Sequence, residues 1–179
     1  MALKPTIYKL RIALSDLNRQ YYDSLNLTLA QHPSETLERM MARVLAYCIN
    51  AGEGLVFSKG LSEADEPAIW HHAMDDQILL WIDVGEPAQE RMKKASHLAK
   101  SVKVYCFNAR ADVWWQQVQN KVSRLPVSVY QFEWPVIEAL AAMVQRTMDI
   151  SVSITGDSAY VATEAGECDI SWQVLQDAG

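Results

Sequence analysis

The chain is short of the features that define several common protein classes. Its three cysteines, Cys48, Cys106 and Cys168, are odd in number, widely spaced and each set beside apolar residues. That spacing offers neither a disulfide framework nor a zinc box and predicts buried free thiols in a reducing compartment. Glycine and proline are sparse, at 7 and 6 residues, which excludes low-complexity and disordered classes. No apolar run approaches the roughly 20 residues that cross a bilayer. The opening Met-Ala-Leu-Lys-Pro has no apolar leader core or cleavage site, so a cytoplasmic location and no membrane partner are expected. A Walker loop, a dinucleotide-binding glycine fingerprint, a nucleophile elbow and a histidine zinc motif are all missing, and with them go those enzyme classes. Neither a repeat nor a Pro/Ser-rich linker marks a boundary, so residues 1–179 are read as one domain.

What is present is a globular balance, 50% hydrophobic and 21% charged, on a chain long enough to bury roughly 70% of its unfolded surface. The net charge of −6 disfavours non-specific binding of polyanions, because that binding draws on phosphate neutralisation by Lys and Arg. The charge is unevenly placed, however. Leu61 to Glu90 carries eight acids and no Lys or Arg, whereas Arg91 to Ala111 carries six bases and no acid. A local basic patch that could meet nucleic acid is therefore compatible with the acidic total.

Period-two alternation of Tyr8, Leu10, Ile12 and Leu14, repeated at Leu25, Leu27 and Leu29, predicts an N-terminal β-hairpin with its turn near Ser15 to Gln20. A helix follows, with Ser34 as N-cap, Glu35 in the first turn pointing toward solvent, and Leu37, Met40, Met41, Val44, Leu45, Cys48 and Ile49 forming its core stripe before Gly52. Strands are predicted at Leu55 to Lys59, Ile69 to Met74 and Ile78 to Val84. Pro87 is placed to open a helix to Lys100. Then come a strand at Lys103 to Phe107, a helix from an Asp112 cap to Val122, a strand at Val127 to Phe132 and a helix from Pro135 to Arg146. Met148 to Ile154, Ala159 to Thr163 and Asp169 to Val174 complete a C-terminal β-meander. The alternation of strands and helices in the middle predicts parallel pairing in a mixed α/β domain.

Asp83 stands inside the apolar run Ile78 to Val84, where a carboxylate needs a metal, a proton or a cation to offset its desolvation. It either serves a site or anchors the helix that follows. Glu38 falls at the rim of the first helix's apolar stripe, either reaching over a sheet edge or pairing with Arg39 or Arg43. Arg91 and Lys94, three apart on one side of their helix, could hold a phosphate or form a solvated basic face, and Arg110 is a third cation at what could be the same edge. Adjacent His71 and His72 point to opposite faces of a strand, and Trp114 with Trp115 read as core packing.

Taken together, several segments resemble the bacterial YaeQ family. They are His32 to Thr36, Glu38-Arg39-Met40-Met41, Gly60-Leu61-Ser62 with Asp65-Glu66-Pro67, Leu80-Trp81-Ile82-Asp83-Val84-Gly85, Arg91 with Lys94-Ala95, and Asn108 to Gln117. The likeness runs from Leu3-Lys4 to the final strands, and it implies a central sheet of the PD-(D/E)xK nuclease-like type. In nucleases of that type a helix Glu, an Asp opening the second core strand and an acid on the third hold Mg²⁺, with a Lys two residues beyond. Carried over, Glu38 is the helix acid and Asp83 the third-strand acid. Pro67-Ala68 stands where Pro-Asp is expected, so Asp65 or Glu66 must supply that ligand. Gly85 stands in place of the Lys, leaving Lys94 or Arg91 as the cation. The resemblance thus implies a Mg²⁺-dependent nuclease or phosphodiesterase in which Glu38, Asp83 and Lys94 are catalytic, Asp65, Glu66 and Asp83 hold metal, and Arg91 and Arg110 hold phosphate. The alternative is a non-catalytic module of the same fold that binds a protein or nucleic acid. A monomer is expected in either case.

Overall fold

Alternating apolar and polar residues build two long strands at the start of the chain. A computed structural model, describing residues 4–178, shows β1 at Thr6–Asp16 and β2 at Tyr21–Gln31 as an antiparallel hairpin. Tyr8, Leu10, Ile12 and Leu14 are buried while Lys9 and Arg11 face out, as period two requires. Helix α1, Leu37–Asn50, is capped two residues later than predicted. Thr36 is the N-cap, its hydroxyl accepting from the Arg39 amide at 3.1 Å, while the Ser34 hydroxyl is turned to His32 Nδ1 at 2.7 Å. The C-cap is Ala51 rather than Gly52.

Three antiparallel strands follow, β3 at Leu55–Phe57, β4 at Ile69–His72 and β5 at Ile78–Val84, with a 3₁₀ turn at Gly60–Ser62 in the loop between the first two. Helix α2 is Gln89–Leu98, β6 is Ala99–Cys106, α3 is Ala111–Val122 and β7 is Val127–Phe132. The predicted parallel pairing is present, β5 to β6 and β6 to β7. Asp112 does not cap α3; its carboxylate accepts from Gln131 Nε2 at 2.9 Å. Helix α4, Trp134–Ala141, stops five residues short of Arg146 because the Met143 and Val144 amides bond three residues back instead of four. The meander is β8 at Thr147–Thr155, β9 at Ser158–Thr163 and β10 at Gly166–Gln176.

All ten strands join one mixed sheet in the order β2-β1-β8-β9-β10-β7-β6-β5-β4-β3. The larger core cluster takes residues from β1 and β8 at one end and β5 and β6 at the other, with α1 among them, so the sheet curls around that helix. This is why α1 is buried nearly all round from Met40 to Cys48, where an amphipathic stripe was expected. A second cluster of Trp81, Met92, Ala95, Val102, Val104, Trp115, Val122, Val127 and Val129 packs α2 and α3 on the opposite face. Cys48, Cys106 and Cys168 are buried free thiols, as their surroundings predict. No helix among the described residues is long and apolar enough to cross a membrane.

Candidate functional site

The parallel strands β5 and β6 determine where Asp83 points. Ile82 and Val84 belong to the core around α1, while Trp81 belongs to the core under α2, so Asp83 shares the α2 face by period two. It is 6% exposed. The chain leaves β5 through Gly85, whose φ of +125° suits a residue without a Cβ, and turns directly into the start of α2. The position where the resemblance leads one to expect a Lys is thus committed to a turn. Arg91, in the first turns of α2, lies back over the strand as a consequence.

Arg91 closes on Asp83 with two parallel hydrogen bonds, Nε to Oδ2 at 2.9 Å and Nη2 to Oδ1 at 3.0 Å. The same guanidinium donates to the Ala64 carbonyl at 2.6 Å and the Glu66 carbonyl at 2.9 Å, pinning the acidic loop to the strand. It lies 5.7 Å from the Trp81 ring centroid. Hydrogen bonding to Asp83 raises the pKa of Arg91 above its ordinary value, outweighing the opposing effect of burial. A fork-to-fork pair of this kind is both directional and charge-assisted.

A cleft of about 250 Å³ opens beside the pair, its lining including Arg39, Glu63, Glu66, Asp83, Glu86 and Arg91. The expected residues are divided by this geometry. Asp83, Glu66 and Arg91 meet at the cleft. Asp65 and Lys94 stand on the far side of Arg91, around a neighbouring cavity of about 230 Å³, joined by a 3.4 Å contact between side chains that are 79% and 66% exposed. Arg110 is exposed at the N-cap of α3 and does not line the cleft. Glu38 is half-buried on α1 and its side chain makes no hydrogen bond or ion pair among the described residues; its neighbour Arg39 reaches the cleft instead. The expected partners of Glu38 are taken by Glu35. Far from pointing to solvent, Glu35 is buried, ion-paired with Arg39, and 2.8 Å from Arg43 Nη2. Burial lowers the pKa of Arg43, and Glu35 opposes that shift.

Sequence reasoning did not single out Glu63 or Glu86. Glu86 accepts from the Phe107 amide at 3.1 Å and the Asn108 amide at 3.4 Å, fixing the end of β6 beside the cleft. The signal was its place in the acidic run, directly after the glycine that ends β5.

These donors fit a Mg²⁺ ion poorly. Mg²⁺ demands near-octahedral oxygen ligands, yet both Asp83 oxygens already accept from a cation and Glu66 turns its main-chain carbonyl to the same guanidinium. Among the described residues no group of three or more His, Cys, Asp or Glu side chains is arranged to hold a metal ion.

The class these features define is a mixed α/β protein whose ten-stranded sheet wraps a buried helix and carries, at the end of a parallel strand, a buried Asp paired with a partly exposed Arg. The chain belongs to the YaeQ family: the family described as YaeQ protein matches residues 1–172. It is 39% identical over 178 residues to the YaeQ protein of Salmonella typhi and 38% identical to that of Escherichia coli K12, covering 97% of this chain and 98% of each relative. The fold is similar to the crystal structure of the YaeQ protein of Xanthomonas axonopodis pv. citri, with a TM-score of 0.94 at 34% identity over 97% of this chain and 99% of that one. The YaeQ protein of Pseudomonas syringae matches with a TM-score of 0.93 at 34% identity, covering 98% of each chain.

Proposed function

We propose that this YaeQ-family chain is a binding module that receives a basic segment of a protein partner in the cleft beside Asp83, without metal-dependent catalysis. The observation that carries the reading is the Arg91 guanidinium, which neutralises Asp83 and ties two loop carbonyls with four hydrogen bonds. A divalent ion at Asp83 would have to displace that cation. Four acids, Glu63, Glu66, Asp83 and Glu86, and two bases, Arg39 and Arg91, line the cleft around the pair. Surplus negative potential attracts Lys- and Arg-bearing ligands and repels a phosphodiester backbone.

The run of β4, β5, β6 and β7 with α1 on one face supports a PD-(D/E)xK nuclease-like type for this sheet. On this reading the architecture is kept, and an ion pair stands where the nucleases of that type hold metal.

The test is fluorescence anisotropy with a labelled oligolysine peptide and a labelled DNA oligonucleotide, together with calorimetric titration of Mg²⁺ and Mn²⁺. The peptide is expected to bind at low salt, to weaken several-fold with Glu63→Gln and Glu66→Gln combined, and to be indifferent to chelator. Magnesium-dependent cleavage of the oligonucleotide that Asp83→Asn abolishes would overturn the proposal in favour of a nuclease, and failure of the peptide to bind would remove its ligand class.

A further inference from the structure

The two ends of the sheet are unequal. One is β3, a strand of three residues; the other is β2, eleven residues long and, among the described residues, paired on one side only. Natural edge strands are protected by shortness, by lysine, by proline, by a bulge or by inward-pointing charges, of which β2 has one, Asp23 near its start. The short β3 fits that rule. Strand β2, Tyr-Tyr-Asp-Ser-Leu-Asn-Leu-Thr-Leu-Ala-Gln, contains no lysine, arginine or proline, has Asp23 as its one charge, and runs against β1 without a register shift.

We infer that a second copy of this chain occupies that edge, two β2 strands pairing antiparallel about a two-fold axis at Asn26. Alternate residues of an antiparallel strand turn their amide and carbonyl away from the partner they already have. Two contacts show which residues these are. The Ser24 amide bonds to the neighbouring Asp23 carboxylate at 2.8 Å, and the Ala30 carbonyl accepts from the Arg43 side chain at 3.4 Å. The even-numbered set therefore faces the open edge, with Ser24, Asn26 and Thr28 in its centre and Arg43 capping its end.

A register centred on Asn26 sets Asn26 against itself and Ser24 against Thr28 of the second copy. On the inner face it brings Leu25 against Leu27 of that copy. These two leucines pack only partly against the core, whereas Leu29, further along, is fully buried. The added strand would complete their burial. Asp23 falls opposite Leu29 of the second copy, so no like charges meet. The strand is thus complementary to itself in backbone and in apolar side chains, with no like charges opposed, and the association replaces the monomer expected from sequence.

Sedimentation equilibrium over a series of concentrations tests this. The mass of the wild type should rise with concentration toward twice the 20.2 kDa of one chain. Asn26→Lys should hold the mass at one chain, because the new ammonium faces its own copy across the axis, while an exposed position leaves the fold intact by circular dichroism. The amides of Asn26 and Thr28 should exchange with deuterium more slowly as concentration rises. A one-chain mass at every concentration overturns the inference. So does a dimer that Asn26→Lys leaves untouched, or one in which those two amides exchange at the same rate at every concentration.

Discussion

Arg91 supplies four hydrogen bonds to three separate residues, so its removal should be felt beyond the site. Breaking a buried pair by deleting one partner leaves an uncompensated charge and costs about 3–5 kcal/mol, whereas losing both partners costs less. Because the Arg91 side chain is 34% exposed while Asp83 is buried, Arg91→Ala is expected to destabilise by less than a fully buried pair would, about 1–3 kcal/mol in urea unfolding, and Arg91→Ala with Asp83→Asn by less than the single change. Limited proteolysis should find the 60–67 loop opened, since its carbonyl tethers at Ala64 and Glu66 are gone. Asp83 was legible in sequence as a residue that needs compensation, because a carboxylate inside an apolar strand must meet a metal, a proton or a cation; that Arg91 supplies it, rather than holding a phosphate, was not. Glu38 and Arg39 were not separable. One residue is about 100° of helix rotation, and which of the two reaches a cleft depends on how the helix is turned against the sheet.

At the scale of the element, α1 is held by charges inside its own burial. Arg43 is buried in the middle of the helix and its Nε has no hydrogen-bond partner, so Glu35 is its chief compensation. Glu35→Ala should destabilise by about 3–5 kcal/mol, and adding Arg43→Met should recover part of that loss in thermal unfolding. The strands were read well because alternation at period two survives in any sheet with one packed face. Helix ends were read less well. Ser34 and Thr36 are both capping residues by type, and only the path of the chain after Pro33 selects Thr36. The early end of α4 is set by tight turns at Met143 and Val144 that no residue type announces.

For the whole molecule, the buried thiols and tyrosines set the response to alkali. Burial pushes the Cys48 and Cys106 thiols from 9.0 up to about 12 and raises Tyr105 as well. A raised folded pKa means that the folded state keeps a proton the unfolded chain releases, so this stability is complete below pH 9 and is lost as pH rises toward 12. Lys103 acts in the opposite sense, since burial lowers its pKa and the folded state sheds its proton first. Burial raises Tyr47, Tyr130 and Cys168 in the same direction, so the raised groups outnumber Lys103 and the urea midpoint should fall steadily above pH 9. Cys48→Ala combined with Cys106→Ala should flatten that decline while lowering the midpoint at neutral pH.

Composition and patterning by themselves determined the class: a mixed α/β chain with a hairpin, a β-meander, parallel central strands and three buried thiols. These follow from local periodicity, which each segment carries within itself. Only the tertiary structure decided that the sheet curls around α1, that Glu35 rather than Glu38 takes the arginines, and that Arg91 closes on Asp83. Those outcomes depend on which face of one element meets which face of another across large sequence distances, and burial energy alone is indifferent to that choice until shape and charge are matched together.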